Sequence, residues 1–108
     1  MSLPKPYVKF KDEFPAIHED LERLGQHVRE YGPLSTRDFH LVKLGLAFAT
    51  ESRGGVKSQV RRALEDGFTV EEIKHAALLC LPTIPFASMV ASLGWVEEVL
   101  GERAMETK

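Results

Sequence analysis

Apolar side chains recur along this chain at helical spacing, and no segment sustains the period of two that a half-buried strand requires. Ile17, Leu21, Leu24 and Val28 follow at steps of four, three and four, drawing one stripe along a charged segment. Pro15 suits a first helical position through its fixed φ, and Tyr31-Gly32-Pro33 ends the pattern. The stretch before it, with Pro4, Pro6 and scattered lysines, reads as an extended arm.

Ser35, with Asp38 three residues on, resembles a capping box and opens a second helix. From Phe39 to Ala49 almost every position is apolar or small, and only His40 and Lys43 interrupt the run. A helix that is apolar all round has to be covered on most sides. This one is expected at the centre of a bundle and also against a second subunit, with Gly45 allowing close approach. Arg53-Gly54-Gly55 reads as the next turn, and Val56, Val60, Ala63 and Leu64 as the stripe beyond it. Gly67 sits where a left-handed helix cap is expected. Thr69 and Glu72 form a full capping box for a helix buried through Ile73, Ala76, Ala77 and Cys80. Pro82 and Pro85 break the chain again. A last helix carries Phe86, Met89, Val90, Leu93, Val96, Val99 and Leu100, stops at Gly101, and leaves Glu102 to Lys108 as a fraying tail. The fold class is all-α, a small antiparallel bundle, since the connections are short.

At 108 residues there is room for one domain, 1–108, with its core over about 14–100. A formal net charge of −2 gives no electrostatic reason to expect nucleic acid or an anionic membrane as partner. No apolar run approaches the roughly 18 residues of a membrane span, and no signal-peptide core follows the start, so cytoplasm is the expected compartment. The single cysteine, Cys80, excludes an intrachain disulfide and a thiolate zinc site. Set among leucines, it reads as a small buried hydrophobe with a raised pKa. The histidines show no metal-ligand spacing; His18, His27 and His75 read as solvated surface, and neither metal nor cofactor is expected. His40 differs. On the most apolar helix it is either a hydrogen-bonded core residue or a titrating group facing a pocket.

Residues 35–50, Ser35-Thr36-Arg37-Asp38-Phe39-His40-Leu41 through Thr50, are similar to the central helix of the carboxymuconolactone decarboxylase and alkylhydroperoxidase D-like superfamily. Val60 to Ile73 resembles its helix-turn-helix with the Ala-Leu, Gly, Thr and Glu-Glu-Ile signature, and Ala77 to Ala87 its break before the last helix. The match spans residues 14 to 100 or so. It implies an all-α subunit in a homo-oligomer, a trimer or hexamer. The peroxidase branch uses a glutamate, a Cys-x-x-Cys pair and a histidine, which fall here on His40, Ser52, Gly55 and Gln59. All four differ, so a peroxiredoxin-like label finds no thiolate behind it.

The decarboxylase branch relies on acid–base groups. In that light His40 is the candidate general acid or base, with Gln59, Ser52 and Glu51 as further catalytic candidates orienting a small-molecule substrate. Arg53, Lys57 and Arg61 are the candidate cations for a substrate carboxylate. With the turn at Gly54-Gly55, His40 lies about 20 Å back along its helix and Gln59 under 10 Å along the next, so direct contact asks for an earlier turn, a bent helix or a neighbouring subunit. Three functions stay open: a redox-independent lyase on a small carbonyl or carboxylate compound, a non-catalytic oligomeric binding or scaffold protein, and thiol chemistry through Cys80.

The apolar run predicts self-association. Ultracentrifugation at low concentration should find a particle several-fold heavier than the 12.1 kDa chain, and a stable lone chain overturns this.

Overall fold

The structure, a computed structural model, describes residues 5–106. They form six helices: α1 (Lys5–Glu13), α2 (Pro15–Glu30), α3 (Thr36–Thr50), α4 (Arg53–Glu65), α5 (Val70–Leu78) and α6 (Phe86–Glu106). No strand occurs among the described residues. The helices α1 and α2 make one compact unit, and α3 to α6 a second.

The first unit is a hairpin whose leading helix replaces the expected extended arm. Pro6 falls at the second residue of α1, where the missing N–H would have lacked an intrahelical partner anyway. Aromatic contacts then hold α1 to α2. Tyr7 meets the His18 ring edge-on at 5.5 Å, and its hydroxyl and His18 Nε2 lie 2.7 Å apart. His18 is therefore not the solvated residue it was expected to be; Tyr7, in the segment read as an arm, covers it. His27 and His75 are exposed as expected. The α2 stripe has the predicted register, yet Ile17, Leu21, Leu24 and Val28 stay 53–62% exposed.

In the second unit α3 turns His40, Leu44, Ala47 and Phe48 into the core and leaves Leu41, Val42 and Leu46 exposed. A Cβ at Gly45 would meet open space, so no described residue uses the close approach the glycine permits. The core gathers Leu44 and Phe48 of α3, Val56, Val60 and Ala63 of α4, Ile73 and Ala77 of α5, and Met89, Val96 and Val99 of α6. Burying the larger of these, the Val, Leu, Ile, Phe and Met side chains, contributes about 1.5–3 kcal/mol each.

The turn between α3 and α4 is earlier than expected. Gly54 and Gly55 lie inside the first turn of α4, and the chain reverses at Glu51, in the left-handed region at φ 56°, and Ser52. Ser52 Oγ accepts the Gly55 N–H at 3.0 Å, capping the helix. A serine three residues before an N–H that needs a partner decides the boundary over a glycine pair.

At the other end of α4 the expected left-handed cap forms at Gly67, φ 92°. Gly67 N–H donates to Leu64 O and Phe68 N–H to Ala63 O, the paired bonds of a Schellman motif. The Thr69–Glu72 box is reciprocal, Thr69 N–H donating to Glu72 Oε1 and Glu72 N–H to Thr69 Oγ. A break with a cis Leu81–Pro82 bond leads to α6. That helix does not stop at Gly101 but continues through Glu106, so Glu102 to Glu106 do not fray as a tail; Thr107 and Lys108 lie outside the described residues. The reason is Glu102, which two cations of α4 hold in place.

The two helix-end glycines should answer oppositely to alanine. Gly67→Ala forces a side chain into left-handed backbone and should cost about 1–2 kcal/mol. Gly101→Ala, on an open helix surface, should stabilise by about 0.5–1 kcal/mol. Urea unfolding of both variants checks this, and a destabilised Gly101→Ala would place the helix end where the sequence pattern suggests.

Candidate functional site

Every candidate residue lies in the second unit. At the α3–α4 turn Glu51 projects from its left-handed backbone and its carboxylate accepts a hydrogen bond from Ser88 Oγ, buried on α6. Ser52 is engaged as the cap of α4. A Cβ at Gly55 would come within 3.2 Å of Ser52 Oγ, tighter than an ordinary contact. Positions 52 and 55, where the peroxidase branch would carry its two thiols, are thus fitted to each other as a helix cap.

His40 and Gln59 are not brought together. Counted from Ser52, His40 is twelve residues back and Gln59 seven forward, levels about 7 Å apart on a helical hairpin. Asp66, fourteen residues forward, is nearly level with His40. There the pair forms: His40 Nε2 lies 2.5 Å from Asp66 Oδ2. The His40 ring packs edge-on against Phe39 and Phe68, centroids 5.2 and 5.8 Å away, and the residue is only 4% exposed. Its Nδ1 is buried without a hydrogen-bond partner. Gln59 Oε1 and the Oγ of fully buried Ser92 are likewise buried and unpartnered.

Arg37 adds a second layer. Its guanidinium lies 4.3 Å from the Phe68 ring centroid and pairs with the Glu72 carboxylate. Phe68 is thereby in contact with both Arg37 and His40.

The three candidate cations do come together, each against a carboxylate of α6. Arg53 grips Glu98 with Nη2 at 2.7 Å and Nε at 3.2 Å. Lys57 Nζ meets Glu102 Oε1 at 2.5 Å, and Arg61 Nη2 meets Glu102 Oε2 at 3.0 Å. Hydrogen bonds from Lys57 and then Arg61 hold the Glu102 carboxyl below the usual range, and Arg53 does the same for Glu98. In return Glu98, chiefly through its hydrogen bond, raises the Arg53 pKa. Lys57 is nine-tenths buried, so Glu102 is the charge that makes its burial tolerable.

Cys80 is partly buried, and burial pushes its thiol pKa up, against the thiolate form. Among the described residues no three of His, Cys, Asp and Glu converge as a metal-binding group.

Asp66, Glu98 and Glu102 escaped the sequence reading. A signal existed for the glutamates: Glu98 and Glu102 are four apart, matching Arg53, Lys57 and Arg61 at steps of four, but Glu102 lay beyond the expected helix end. Asp66 carried no signal, because its level against His40 depends on where the turn falls.

Residues 15–98 match the sequence model of the carboxymuconolactone decarboxylase family. The fold is similar to that of a carboxymuconolactone decarboxylase family protein from Legionella pneumophila, solved in its apo form, with a TM-score of 0.73, 21% identity and 87% of each chain covered. No curated protein matches the chain.

Because Glu102 is held below its ordinary range, its share of stability is complete above about pH 4.3 and is lost as pH falls through the lowered folded value. Glu102→Gln should cost about 1–2 kcal/mol at neutral pH, less than for a fully enclosed pair because the Glu102 side chain is 38% exposed. It should also flatten the acid limb of a plot of melting temperature against pH; an unchanged limb counts against the Lys57–Glu102–Arg61 cluster.

Proposed function

Since the chain belongs to the carboxymuconolactone decarboxylase family, we propose that it carries out redox-independent, lyase-type acid–base chemistry on a small carbonyl or carboxylate compound. His40 is the residue that takes or gives the proton. The observation that carries this is the His40 ring itself: one nitrogen engaged by Asp66, the other buried and unpartnered. A neutral imidazole with its Nε2–H on a carboxylate presents a lone pair at Nδ1, the form a general base needs. At 4% exposure the ring meets a substrate only after a neighbouring side chain shifts.

A second reading, the non-catalytic oligomeric binding or scaffold protein, is favoured by one observation. Arg53, Lys57 and Arg61 are all engaged by Glu98 and Glu102, so the cations expected to hold a substrate carboxylate already hold the protein's own. A peroxiredoxin-like activity has the least support, with Ser52 and Gly55 built into a cap and the Cys80 thiol raised.

We also propose assembly into a homo-oligomer, a trimer or hexamer, and a cytoplasmic location. Support for assembly comes from the exposed stripe of α2 and from exposed Leu41, Val42 and Leu46 on α3. No helix of the described residues is long and apolar enough to cross a membrane.

The test is proton exchange with solvent deuterium at the carbon next to the carbonyl, followed by NMR across a panel of small lactones and keto acids. The wild type should accelerate exchange or decarboxylation of at least one compound, and His40→Gln should lower that rate by about 10²–10⁴-fold. Equal rates in a folded His40→Gln variant overturn His40's role. A wild type inert to the whole panel favours the scaffold reading.

A further inference from the structure

We propose that Asp66 is a positioning residue for His40: it fixes the imidazole in the Nε2–H tautomer and so reserves the buried Nδ1 for the reaction. The assignment rests on the acid–base reading of His40 for its purpose, but its geometry stands alone.

An ionised carboxylate only accepts hydrogen bonds. With Asp66 Oδ2 at 2.5 Å, the proton of a neutral His40 ring belongs on Nε2, and the lone pair falls on Nδ1. Nothing on the Nδ1 side competes, since that nitrogen has no partner. From α3 itself Arg37 lies over Phe68, and Lys43 Nζ sits 5.6 Å from the Phe39 ring centroid; from α5 Glu72 is tied to Arg37. The hydrogen bonds and ion pairs of His40 therefore come down to one partner, Asp66.

The backbone holds that partner in place. Asp66 is the last residue before the left-handed Gly67, with its N–H bonded to Arg62 O at 3.1 Å. The next residue but one, Phe68, turns back into the core, and its ring stands edge-on to His40. One helix cap thus delivers both groups that set the ring: the carboxylate that chooses its tautomer and the aromatic wall that limits its rotation. The Asp66 side chain is half exposed, so water reaches the carboxylate on one side while it accepts from the buried ring on the other.

The readout is the ¹⁵N spectrum of His40 in the full chain at a pH where the ring is neutral. A charge-assisted hydrogen bond of this kind should favour the Nε2–H tautomer by about 10- to 100-fold. Asp66→Asn, whose amide can donate as well as accept, should bring the two tautomers to within a few-fold of each other, and Asp66→Glu should restore the preference in part. If the panel yields a substrate, Asp66→Asn should lower kcat with little change in KM.

A wild-type ring protonated on Nδ1 overturns the assignment. So does a tautomer ratio unmoved by Asp66→Asn in a variant that keeps wild-type helicity and melting. Should the variant fail to fold, the wild-type ratio decides: a preference for Nε2–H no larger than the few-fold one of free histidine overturns the assignment, and the expected larger ratio supports it. An inert wild type with the expected tautomer supports the Asp66 assignment and defeats the acid–base reading instead.

Discussion

The two-residue connection Glu51–Ser52 sets the register of the second unit. It joins α3, which presents His40 and Phe48 to the core, to α4, which carries Val60 inward and Lys57 along its edge. With so short a link the helices have no freedom to slide, and each residue on one is opposed by a residue at nearly the same distance on the other. His40 therefore meets Asp66 and not Gln59. The cost is one non-glycine residue in left-handed backbone, Glu51, whose side chain is tied to Ser88. Ser52 completes the turn by capping α4, and the absence of a Cβ at Gly55 leaves the hydroxyl room to do so.

Two polar systems flank this hairpin and differ in how they are satisfied. Along the α4–α6 contact, three cations meet two carboxylates, and even the buried ammonium of Lys57 has a partner. Around His40 one ring nitrogen is held and the other is left bare among aromatic rings. Carboxylates set against buried cations are what a packing interface needs, although Arg61 Nε stays buried without a hydrogen-bond partner. A buried polar atom without a partner is the less common arrangement, and His40 Nδ1 shares it with Gln59 Oε1, Arg61 Nε and Ser92 Oγ. The fold alone does not assign chemistry to any of them. The Legionella pneumophila protein of the same family superposes over 87% of its length at 21% identity, which establishes shared architecture and leaves the site to each chain's own side chains.

The elements were legible wherever local chemistry decided them. The α2 stripe, the Gly67 cap and the Thr69–Glu72 box all stand where spacing and capping placed them, because each depends on residues within a few positions. The misplaced boundaries share an origin. Pro6, Gly54, Gly55 and Gly101 read as breaks on intrinsic preference, and each instead lies inside a helix. Intrinsic preference is about 1 kcal/mol for a glycine, small enough for a cap or an ion pair to override. Tyr7 on His18, Ser52 on the Gly55 N–H, and Lys57 with Arg61 on Glu102 supply those overriding contacts.

By itself the sequence determined that the chain is helical, that its most apolar segment is a helix contributing to the core, and that positions 40, 52, 55 and 59 carry no thiol. The first two follow from periodicity and residue type, properties a linear chain already possesses; the choice of those four positions rests on the family resemblance. Tertiary structure alone decided the partners: Asp66 for His40, Glu98 for Arg53, and Glu102 for Lys57 and Arg61. Each joins residues 26 or more positions apart, and at such separations a shift of two residues in one turn exchanges one partner for another.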